Sequence, residues 1–178
     1  MKKIIVLTII CLSVYVNSFS QQLTTIKDIA TVTLPNNAEK LTKEKLAALK
    51  PKNGKVTAVS YEHSKGDSYK TKDFLVQLNA ASIAPRPGFL EQLKMELDEL
   101  YSFAQPRHYN TSIKRFMNHS AVITYYENPT DDKAYFFFSS YNRNGDSVVV
   151  GTLEFDKSNR ATAEKDLDEI IKSIKFKK

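Results

Sequence analysis

Residues 134–142, AYFFFSSYN, carry aromatic side chains on both strand parities: Tyr135, Phe137 and Tyr141 fall on one, Phe136 and Phe138 on the other. Residues 147–155 repeat the arrangement, with Val149, Leu153 and Phe155 opposed to Val148 and Val150. Successive strand residues point to opposite faces, so a sheet with one wet face is apolar on one parity only. These two strands therefore belong at the centre of a sheet covered on both sides. Asn144-Gly145 joins them and is the strongest hairpin signal in the chain, because a two-residue type I′ turn needs positive φ at both central positions.

Two segments offer the covers. Phe89, Leu93, Leu97, Leu100 and Ala104 recur at three- and four-residue spacing between Pro85-Arg86-Pro87-Gly88 and Pro106, which predicts an amphipathic helix over 89–104. A final helix over 161–173 places Ala163, Leu167, Ile170, Ile171 and Ile174 on one face. Further strands are expected at 29–34, stopped by Pro35-Asn36-Asn37, and at 56–61, 74–80, 113–117 and 121–127, the last two flanking Asn118-His119. Thr42 caps a short helix with Leu46 and Leu49 on its apolar side, ended by Pro51. Residues 21–28 read as a flexible lead-in and 63–72 as a polar loop. Lacking βαβ alternation, this order predicts an α+β fold, a mainly antiparallel sheet of about six to seven strands flanked by helices on both faces.

An early strand ending at proline (Thr31-Val32-Thr33-Leu34-Pro35), a long helix, a four-strand meander and a last helix running into Ile170-Ile171-Lys172-Ser173-Ile174-Lys175-Phe176 together resemble the PsbP-like family. Its fold is shared by an extrinsic photosystem subunit, a Ran-binding nuclear import factor and many small secreted bacterial proteins. The resemblance covers most of the chain after residue 20 and brings no catalytic motif. It implies a non-enzymatic adaptor or stabilising protein.

The N-terminus indicates where such a protein works. Lys2 and Lys3 precede an apolar stretch from Ile4 to Val16, and Ser18-Phe19-Ser20 resembles a small-x-small cleavage site before Gln21. Residues 1–20 are read as a secretory signal peptide, so the expected location is periplasmic or extracellular. The apolar run falls short of the roughly 20 residues of a membrane-spanning helix. Cleavage after Ser20 removes Cys11, the one cysteine of 178 residues, and with it disulfide and thiolate chemistry. Bulky Ile9-Ile10 before Cys11 does not suit a lipid-anchor site. Residues 21–178 then form one domain of ordinary size. The formal charge of +6 includes Lys2 and Lys3, leaving a mild +4 without long runs of like charge, and no nucleic-acid footprint is indicated.

No catalytic, cofactor-binding or metal-ligating constellation emerges. His63, His108 and His119 form no ligand-spaced pair and read as exposed loop residues. Asp131-Asp132 reads as a solvated turn rather than a cation loop, and no glycine-rich phosphate cradle or nucleophile elbow is present. Asn110-Thr111-Ser112 and Asn118-His119-Ser120 match the glycosylation acceptor only as short chance patterns. Nine Tyr and ten Phe without Trp are read chiefly as sheet packing. Arg107-His108-Tyr109, just past the long helix, is the most interaction-like short segment. The reading is a secreted, non-enzymatic protein without cofactor that binds an unknown protein partner or supports envelope assembly. The alternative is a small-molecule or lipid-binding module with a cavity between sheet and long helix. An enzyme ranks third, requiring distant groups such as His63 with Asp67, or His108 with an acidic neighbour, to converge.

Overall fold

A computed structural model describes residues 22–49, 66–84, 88–104, 108–129 and 131–177. Seven strands form the main sheet in the order β3-β4-β5-β9-β8-β7-β6, and β1, β2 and β10 form a small one in the order β1-β2-β10. Along the chain these are β1 (Gln22–Ile26), β2 (Ala30–Leu34), β3 (Glu39–Lys40), β4 (Asp67–Lys70), β5 (Phe74–Ser82), β6 (Tyr109–Arg115), β7 (His119–Glu127), β8 (Lys133–Asn142), β9 (Ser147–Asp156) and β10 (Lys175–Phe176). The helices are α1 (Lys43–Leu49), α2 (Phe89–Ala104) and α3 (Arg160–Lys172), the last entered through a 3-10 turn at Lys157–Asn159. All described strand pairs are antiparallel. Among the described residues no helix is long and apolar enough to cross a membrane.

The expected α+β architecture is present, and the two-sided strands β8 and β9 lie near the middle of the sheet, as their parity requires. Phe136 pairs in register with Leu153, Ala134 with Phe155 and Phe138 with Gly151, placing these side chains on one face. There they join Val76 and Leu78 of β5, Val32 and Leu34 of β2, and Ala163, Leu167, Ile170 and Ile171 of α3 in the core cluster. Gly151 has a packing reason: a Cβ there would lie 2.4 Å from two Phe138 ring carbons. Only a residue without a side chain lets that ring lie on the neighbouring strand. The second face presents Val122, Thr124, Tyr126, Ser139, Tyr141 and Val148, with α2 packed across β6 and β7.

Helix α2 has the expected bounds but covers less than its spacing suggests. Phe89, Leu93 and Leu97 are half-buried, whereas Leu100 is 58% and Met95 70% exposed. Helix α3 begins one residue before its expected start and buries the predicted stripe. Thr42 caps α1 as expected, its Oγ1 accepting from the Lys45 amide at 3.3 Å.

Four local expectations are corrected. The supposed lead-in at 21–28 contains β1, which pairs with β2 along its whole length, from Gln22 against Leu34 to Ile26 against Ala30. The polar loop at 63–72 contains β4, held between β3 and β5. The β8–β9 connection is not a type I′ turn: Gly145 has φ +71°, but Asn144 is not among the positive-φ residues. The amide of Gly145 donates to the Asn142 carbonyl, and the Asn142 side chain accepts from the amides of Asp146 and Ser147. A longer loop tied by one asparagine thus replaces the two-residue turn. Two consecutive positive-φ residues occur instead at Lys27 and Asp28, between β1 and β2. Finally, the strand expected at 113–117 starts at Tyr109 and ends at Arg115. The strand expected at 56–61 lies outside the described residues.

Candidate functional site

Four chain segments meet at one end of the main sheet: the β6–β7 turn, the β8–β9 loop, the first turn of α2 and the last turn of α3 with β10. The β6–β7 turn is tight. The Phe116 amide donates to the His119 carbonyl at 2.9 Å, leaving Met117 at the crest with 92% of its surface exposed. An exposed side chain of that size is noteworthy because it lies beside other apolar surface.

A cleft of about 600 Å³ opens on one side of this ridge, lined by Phe89, Glu91, Phe116, His119, Tyr141 and Arg143, among others. Gly88, at φ +69°, starts the turn into α2 and sets Phe89 edge-on to Tyr141, with ring centroids 5.0 Å apart and planes at 83°. That is a favoured aromatic arrangement. The cleft therefore lies where the first turn of the long helix meets the strand ends. A smaller cleft of about 250 Å³ lies on the other side of the ridge, between Phe116, Met117, Lys172, Ile174 and Lys175.

His119 stands under the ridge and lines both clefts. The expectation of an exposed loop histidine is wrong: the residue is 5% exposed, stacks on Phe116 at 4.6 Å, and bonds through Nε2 to the Ile171 carbonyl at 3.0 Å. With a carbonyl as acceptor, Nε2 carries the hydrogen. Burial pushes the imidazole below its ordinary value, while the hydrogen bond to Ile171 works the other way. The neutral ring thus fastens the base of the ridge to the end of α3.

The charges around the clefts are unequally matched. Arg115 pairs with Glu91 at 2.7 Å, and Asp168 takes both Lys114 at 3.2 Å and Lys172 at 2.5 Å. Asp146 is held by Asn142 and Ser147, and those bonds lower its carboxyl. Arg143 and Lys175 have no ion-pair partner among the described residues. Those residues also hold no group of three His, Cys, Asp or Glu side chains fit for a metal ion.

Of the interaction segment read from the sequence, Arg107 lies outside the described residues, and the other two residues sit at the opposite end of β6. His108 is exposed, its carbonyl accepting from the Glu127 amide at 3.2 Å, and the Tyr109 hydroxyl donates to the Asp98 carbonyl at 3.4 Å. Near them the Tyr125 hydroxyl donates to Glu127 at 2.6 Å, and the Arg160 guanidinium lies 4.1 Å from the Tyr125 ring centre. Burial, then the bond to Glu127, pushes Tyr125 up to about 12. The Tyr125 bond first, then the electrostatic influence of His108, Lys157 and Arg160, holds Glu127 below its ordinary value. This brings His108 near an acidic group, but on a surface whose carboxylate already receives a hydroxyl. His63 lies outside the described residues, so its pairing with Asp67 does too. Sequence reasoning missed the ridge and its clefts; the apolar pair Phe116-Met117 between charged Arg115 and polar Asn118 was the available signal.

Neither a protein-family model nor a curated protein matches this sequence. Solved structures do. The cyanobacterial PsbP protein, CyanoP, of Synechocystis is 11% identical, over 91% of this chain and 95% of that one, with a TM-score of 0.51. The Saccharomyces cerevisiae Ran-binding protein Mog1p is 8% identical, over 89% of this chain and 96% of its own, also with a TM-score of 0.51. At such identities the likeness is one of fold, and it agrees with the resemblance read from the strand and helix order.

Proposed function

The chain has the Mog1/PsbP fold, whose members are often protein-binding, and we propose that it is an exported, non-catalytic domain that binds another protein through the ridge between its two clefts. Met117 carries this reading: a nearly fully exposed apolar side chain on a short turn, anchored from below by His119 and flanked by aromatic hollows. Interfaces draw their energy from a few apolar or aromatic anchors seated in pockets, with polar groups around them. The ridge and clefts have that composition. The signal-like residues 1–20 support a partner in the cell envelope or outside the cell, and export is checked by finding a mature chain that starts at Gln21 in an extracytoplasmic fraction.

A photo-crosslinking side chain at position 117, with a second protein carrying it at exposed Glu164 on α3, tests the interaction reading in whole cells. Capture of a discrete partner from position 117 and not from 164 is expected. Equal capture from both, or none from 117, contradicts it. The volume of the larger cleft and its Phe89–Tyr141 pair also suit a small apolar ligand. Co-purification of such a molecule, lost on Phe89→Ala, would favour that second reading.

A further inference from the structure

We propose that the two clefts together take one acidic segment of the partner protein, with an apolar side chain seated against Phe89, Phe116 and Tyr141 and carboxylates meeting Arg143 and Lys175. This rests on the protein-binding reading above and names the chemistry of the partner. Among the described residues three carboxylates stand at this end, Glu91 paired with Arg115, Asp168 with Lys114 and Lys172, and Asp146 hydrogen-bonded to neutral Asn142 and Ser147, against the five cations Lys114, Arg115, Arg143, Lys172 and Lys175. The cations are in excess. Arg143 lines the larger cleft and Lys175 the smaller, so an unmatched positive charge lies on each side of the apolar ridge.

That placement favours a chain crossing the ridge over other anionic partners. A bilayer is flat and would touch the Met117 crest while leaving both hollows unfilled. A nucleic-acid backbone is tracked by a row of cations along a strip of surface, whereas here two stand on opposite sides of an apolar crest. A peptide has the required alternation, since an apolar side chain can enter a hollow while its neighbours present carboxylates to either side. Complementary charge of this kind acts on encounter rate and register, and aromatic contact on residence time.

The test uses the exported protein and a synthetic peptide with a Phe-Leu centre and two acidic residues at each end. Controls are the same peptide with lysines for the acids, and vesicles of equal parts phosphatidylcholine and phosphatidylglycerol. Binding is followed by NMR shifts and fluorescence anisotropy. The acidic peptide is expected to shift amides within 88–91, 115–120, 141–145 and 172–175, and to bind less tightly as salt rises. Arg143→Glu and Lys175→Glu, both surface changes, are each expected to weaken it about tenfold, and Met117→Ser to weaken it without altering the salt dependence. Equal binding of the lysine peptide, shifts confined to another face, or no binding overturns the proposal, and so does binding of vesicles alone. Should position 117 capture a partner in cells while the acidic peptide fails, the acidic-segment proposal falls and the interaction reading stands; failure of both removes both.

Discussion

Helices α2 and α3 are both amphipathic and each lies on one face of the same sheet, yet they are held very differently. Helix α3 sinks Ala163, Leu167, Ile170 and Ile171 to 3% exposure or less, and Ile174 just beyond it joins the core. Helix α2 has no fully buried residue among those whose side chains are described, and it leaves Met95 and Leu100 in solvent. Periodicity tells which face of a helix turns inward, but depth of burial depends on what lies opposite. Opposite α3 are Phe136, Leu153, Phe155 and β2, a thick apolar layer. Opposite α2 are the short edge strand β6, with Thr111 and half-buried Ile113, and Val122 and Thr124 of β7. One face is a sealed core; the other is a thinner layer whose helix starts at the candidate binding cleft.

Truncations should reproduce this asymmetry. Ile171→Ala is expected to cost about 3 kcal/mol, in the range for a buried aliphatic residue, and Leu97→Ala under about 1.5 kcal/mol, both read from urea unfolding midpoints. Equal losses would break the comparison. Gly151→Ala probes the sealed side by overfilling. Its new methyl would meet Phe138 and Leu78, and a cost of about 2 kcal/mol is expected.

A pH scan of unfolding sharpens the link between α3 and the ridge. Because burial lowers the folded His119 value, the unfolded chain binds a proton more readily, and stability rises with pH through that window. The contribution is full above the unfolded value of about 6.5 and is lost as pH falls from there through the folded value. His119→Gln should flatten the profile there, and an unchanged slope would contradict the assignment. The smallest effect belongs to exposed ion pairs such as Lys133–Asp156: Lys133→Met should change stability by less than about 1 kcal/mol.

Much of the sealed side was legible because strands buried on both faces must be apolar on both parities, and because the α3 stripe is unbroken over three turns. The missed elements lack such local marks. Strand β1 turns only Thr24 and Ile26 inward while Leu23 stands 67% exposed, so its alternation is disguised by threonines. Strand β4 has one apolar residue, Tyr69, which is buried because it joins the core cluster with Ile26, Val32, Leu34 and Val76 from other strands. His119 is buried by partners that include Ile171, 52 residues away, a relation no local pattern records. The ridge and clefts arise where four separate segments converge, so their parts are visible in the sequence and their meeting is not.

Amide hydrogen exchange of the protein tests most directly the claim that one face holds the stability and the other is left available for binding. Core segments open only with global unfolding, whereas thinly packed ones open locally at lower cost. The amides of Leu167 to Ile171 should exchange at the global unfolding limit and those of Leu93 to Leu97 at least tenfold faster. Equal protection of the two helices would contradict the account and make α2 as much a part of the core as α3.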